Sequence, residues 1–80
     1  MKKKVSIMSI ELSHDELLVL HEFLHRLENT KGIENLFEDL AEQEVLWHFQ
    51  AQLEKKLVEP FRADYPAVME AARRAVREQY

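Results

Sequence analysis

The sequence predicts a mainly α fold: three helices in one domain of 80 residues, preceded by a short N-terminal strand and assembled as a homodimer. Three observations predict it. One glycine and two prolines leave little turn material, so the chain favours helices with few loops. Apolar residues recur at helical spacing in three stretches with start or stop signals. Strand-like alternation occurs once, near the N-terminus, with no second strand pattern to pair with it.

The strand, or an extended arm in its place, covers residues 5–12. Val5, Ile7, Ile10 and Leu12 interleave with Ser6, Ser9 and Glu11 at roughly the period of a strand, and Met8 breaks the alternation. A lone strand leaves its backbone donors and acceptors unpaired. Antiparallel pairing with the same segment of a second copy is the simplest answer.

The first helix, over 13–29, has a clear start. Ser13 is a good N-cap, Glu16 three residues later completes a capping box, and Leu12 and Leu17 sit at the positions of a hydrophobic staple. Asn29-Thr30-Lys31-Gly32 supplies the turn that ends it.

The second helix is expected over 34–58, stopped by Pro60. Its apolar residues change face. Ile33, Leu36, Phe37 and Leu40 form one stripe, continued by Trp47 and Ala51; Leu46, Phe49, Leu53 and Leu57 form another on nearly the opposite side. Either the helix kinks near Ala41–Glu44 or its second half is buried on two sides. Two-sided burial in so small a chain implies a partner subunit, with Leu46, Trp47, Phe49, Leu53 and Leu57 as the expected oligomer interface.

The third helix, over 66–79, opens with Pro66 at a first helical position. Tyr65, Val68, Met69, Ala72 and Val76 keep helical spacing. Arg73, Arg74 and Arg77 suit the negative end of its dipole, and Glu70 is placed to pair with Arg73 or Arg74.

Charge and composition narrow the function classes. Residues 5–59 carry 4 basic and 12 acidic side chains, net −8, which repels nucleic acid and anionic lipid at long range. The absence of cysteine removes disulfides, thiolate metal sites and thiol nucleophiles, and it suits a reducing cytoplasm. The opening MKKK starts like a secretory signal, but the apolar stretch behind it is short, carries two serines and runs into Glu11. No stretch approaches a membrane span. A soluble cytoplasmic protein is expected.

One motif carries chemistry. His21-Glu22-Phe23-Leu24-His25 resembles the H-E-x-x-H signature of zinc peptidases, in which two histidines one turn apart hold zinc and the glutamate activates a bound water. The resemblance implies a minimal zinc hydrolase with His21 and His25 as ligands and Glu22 as base. A third ligand has no signature: the positions of the extended motif's glycine and third histidine hold Glu28 and Lys31, and Glu42 or Glu44 would have to serve. On a helical wheel with His14 at 0°, His21 falls at about −20° and His25 at about 20°, while the expected core-facing residues Leu20, Phe23, Leu24 and Leu27 centre roughly 130° away. The histidines are therefore expected on the polar face, with Glu22 and Arg26 as an i,i+4 pair. Leu18, at about 40°, lies among them, so Leu18, His21 and His25 form a candidate partner surface. His48, between Trp47 and Phe49, reads as a structural histidine.

The lysine-rich start, one short strand, a serine-capped helix and a second helix also resemble the ribbon-helix-helix DNA-binding fold. That resemblance implies dimerisation through the strand and readout of the major groove by outward side chains, here Ser6, Ser9 and Glu11. The chain departs from the pattern in its longer first helix, the lack of a serine or threonine cap after Gly32, and a glutamate facing the phosphates. Ser6, Ser9 and Glu11 are poor readers of base edges. The expectation is therefore a small homo-oligomeric interaction or regulatory protein, not an enzyme, without cofactor or resident metal. An unidentified protein partner is compatible with it; nucleic acid and membrane are not expected.

Overall fold

The structure, a computed structural model, describes residues 5–80; the lysine-rich start, 1–4, lies outside the described residues. Three helices form the body: α1 (His14–Glu28), α2 (Leu40–Lys56) and α3 (Tyr65–Gln79). Short 3-10 turns, Ile33–Leu36 and Glu59–Phe61, sit in the two connections. Among the described residues there is no strand, and residues 5–12 form an exposed arm without regular structure.

Local signals explain the helix starts. Ser13 accepts a hydrogen bond from the Glu16 amide while Glu16 accepts one from the Ser13 amide, so the capping box is formed. In the turn after α1, Gly32 takes φ 83°, a left-handed conformation that only glycine adopts without strain. Pro66 lies in the first turn of α3, where its missing N–H costs nothing.

The second helix is shorter than expected. It begins at Leu40, capped by Asp39, whose carboxylate accepts from the Ala41 amide at 2.7 Å, while Glu42 accepts from the Glu38 amide. Asp39 and Glu42 have the spacing of a capping box, a start signal that the longer apolar pattern overrode. The change of face is thus a break in the chain at 37–39 rather than a kink: Ile33 and Leu36 belong to a separate 3-10 turn. Phe37 then folds back edge-on to Trp47, with ring centroids 6.0 Å apart.

The core lies between α1 and α3. Leu18, Leu57, Met69 and Ala72 form its centre, flanked by Leu17, Val19, Tyr65 and Val68. Leu24 and Leu53 are also buried. Helix α2 rests on α1, and α1 packs on α3 more extensively. The radius of gyration is 15.1 Å, against about 12 Å for a compact domain of this length, in keeping with an exposed arm outside the helical body.

Three placements differ from the expectation. Leu53 and Leu57 are each only 2% exposed in the single chain, so its own core takes them and leaves no side-chain area for an oligomer interface. Leu18 is likewise 2% exposed, and the face of α1 that carries it and His21 is the one turned inward. The expected core residue Phe23 is instead 49% exposed.

Candidate functional site

The first candidate is the cleft around the H-E-x-x-H residues. Packing of α1 on α3 buries His21 and leaves His25 exposed, their rings nearly parallel with centroids 6.4 Å apart. Glu22, Glu54, Leu57, Pro60, Phe61 and Tyr65 complete a cleft of about 440 Å³. The Tyr65 hydroxyl donates to the Glu22 carboxylate at 2.7 Å. Burial, and then that bond to an anion, push the Tyr65 phenol well above its ordinary range. Glu22 is therefore engaged by Tyr65, not by Arg26, whose guanidinium lies over the Phe23 ring at 5.8 Å.

The histidines thus do not line a polar face. His21 packs inward with its Nδ1 buried and without a hydrogen-bond partner. Of the surface residues expected together, Leu18 and His21 are in the interior and His25 alone is exposed. The structure brings His21, Glu22 and His25 to one cleft and adds Glu54 and Tyr65, which no local sequence signal links to α1. Glu42 instead lines a different groove. Among the described residues, no group of three histidine, aspartate or glutamate side chains gathers as a metal-binding set. Chemically the cleft offers two imidazoles, the Glu54 carboxylate and a second carboxylate, Glu22, already bonded to a phenol.

The other histidines play local parts. His14 bonds Glu59 at 2.5 Å, tying the start of α1 to the connection before α3, and this bond holds the Glu59 carboxyl below its usual range. His48 is exposed and shares a hydrogen bond with Gln52, so it is not enclosed by Trp47 and Phe49. On α3, Glu70 pairs with Arg74 at 3.5 Å and lies 4.0 Å from Arg77.

The second candidate is larger and nearly all apolar. Leu36 and Phe37, from the turn before α2, face Ala41, Val45, Leu46 and Phe49 of that helix across a groove of about 660 Å³, with Glu42 at its edge. Leu36 is 65% exposed and Val45 68%, with Leu40 beside them at 66%. Of the five expected interface residues, Leu46, Trp47 and Phe49 remain partly exposed here, whereas Leu53 and Leu57 do not. The groove exists because the break at 37–39 lets the 3-10 turn stand against α2 instead of extending it. Its surroundings are acidic: between residues 32 and 54 there are six acidic side chains and no lysine or arginine.

No helix among the described residues is long and apolar enough to cross a membrane. The site and fold define a small three-helix protein with a mixed polar cleft on one side and an open apolar groove on another. No family model, curated protein or solved structure matches the chain.

Proposed function

We propose that this chain is a non-catalytic interaction module that works as a homodimer, with the groove of Leu36, Val45, Leu46 and Phe49 at the contact. The observation that carries the reading is the exposure of that groove. Each large apolar side chain left wet forgoes roughly 1.5–3 kcal/mol of burial, and contiguous patches of this kind mark interaction sites. Among the described residues, α2 packs on α1 and the groove on α2 lies open. The lack of cysteine suits work in a reducing cytoplasm.

Light scattering at micromolar concentration tests the reading. The expected mass is twice the 9.5 kDa of one chain. Val45→Glu, at an exposed position, should return it to one chain with its helix content intact. A monomer mass for the unaltered protein refutes the homodimer. Peptidase activity with stoichiometric zinc, lost in Glu22→Gln, refutes the non-catalytic part.

A further inference from the structure

Among the described residues, the groove beside α2 and the arm ahead of α1 are both apolar and exposed. In the arm, Val5, Ile7, Met8 and Ile10 are 80%, 90%, 91% and 79% exposed. Four such side chains in one short segment form a poor solvent surface and a good ligand for an apolar groove. We propose that the occupant of the groove is the arm of a second copy, residues 5–12, exchanged reciprocally between two chains. This rests on the homodimer reading above and specifies how that dimer is built.

Reach decides that the arm comes from another copy. The Gln50 amide donates to the Glu28 carboxylate at 2.8 Å, so the groove residues, all before Gln50, begin level with the end of α1. The arm starts at the opposite end, where the His14–Glu59 pair fixes the start of α1. Fifteen helical steps separate Ser13 from Glu28, roughly 22 Å. Fully extended, Ile10 reaches at most about 11 Å from Ser13. Ile7 reaches at most about 22 Å, no farther than the groove's near end. The middle of the arm therefore cannot fill its own groove.

Size and charge fit the exchange. Along α2 the groove runs from Ala41 to Phe49, roughly 12 Å at the helical rise. Four steps of extended chain cover about 13 Å, the span of Ser6 to Ile10. The arm follows Lys2, Lys3 and Lys4, while Glu34, Glu38, Asp39, Glu42 and Glu44 surround the groove in sequence. Complementary charge steers the encounter and orients the arm, while apolar burial supplies the affinity. A smaller hollow of about 360 Å³, at Leu12, Glu16, Val19, Leu20, Phe23 and Val76, lies at the root of the same chain's arm and already includes the arm's own Leu12. Reciprocal exchange fills both grooves and closes the assembly at two chains.

Cross-linking of full-length chains discriminates the possible dimers, because the protein has no cysteine of its own. Chains carrying Ile10→Cys are mixed with differently tagged chains carrying Val45→Cys and oxidised gently. Exchange predicts a disulfide chiefly between unlike chains. It also predicts that the double variant Ile7→Asp, Ile10→Asp, altered only at exposed positions, halves the mass seen by light scattering. Cross-links chiefly among Ile10→Cys chains would indicate a ribbon of paired arms, and chiefly among Val45→Cys chains would indicate helices packed groove to groove; either overturns the proposal. A double arm variant that keeps the dimer mass also overturns it while leaving the homodimer reading intact. An unaltered chain that is monomeric overturns both.

Discussion

Replacing His21 by leucine should stabilise this protein, although it removes the first histidine of an H-E-x-x-H motif. His21 is 7% exposed, and its Nδ1 is buried with no hydrogen-bond partner. Whichever tautomer is present, that atom has given up water without gaining a protein bond, at a cost of roughly 1–3 kcal/mol. Leucine is of comparable size and has nothing to desolvate, so the substitution recovers that cost. Losing the contact with the His25 ring takes back about 0.5–1 kcal/mol, and imperfect packing takes a little more. The net expectation is a gain of about 1 kcal/mol. In urea unfolding the midpoint should rise with unchanged slope, and the thermal midpoint should rise by about 4–8 °C. A loss of more than about 1 kcal/mol would refute the reasoning, because it would mean that the imidazole makes a bond in the folded chain.

Two further substitutions test the packing and the first cap. Leu53→Ala should cost about 2–5 kcal/mol in denaturant unfolding, the range for truncating a buried leucine; a loss under about 1 kcal/mol would mean that α2 is not held by this contact. Glu16 is held down to about 2 from an ordinary 4.5, chiefly by the Ser13 amide and then by the Tyr80 hydroxyl. Its folded value is the lower one, so its contribution is complete above about 4.5 and is lost as the pH falls towards about 2. Glu16→Gln should therefore flatten the fall in stability across that window, and parallel acid-unfolding curves for the two proteins would contradict it.

The sequence by itself determined what depends on neighbours in the chain. The capping box at Ser13 and Glu16, the turn at Gly32 and the proline in the first turn of α3 each act within a few residues, and each was readable before any packing was known. The break before α2 was readable in principle from Asp39 and Glu42. It was missed because the apolar residues of 33–37 continue the helical spacing, and spacing does not distinguish a long helix from a turn laid against a shorter one. Tertiary structure alone decided which face of α1 is inside. On the wheel Leu17 and Leu24 lie between Leu18 on one side and Leu20, Phe23 and Leu27 on the other, so the apolar arc is broad and spacing does not fix which part of it faces inward. Contact with Leu57, Met69 and Ala72 selects the side that carries Leu18 and takes His21 inside with it. The same choice gathers Glu22 and Tyr65, 43 residues apart, into one cleft and draws Leu53 and Leu57 into the core, leaving the groove open. Burial is a property of pairs of surfaces, and no single segment carries the information about which of its faces will find one.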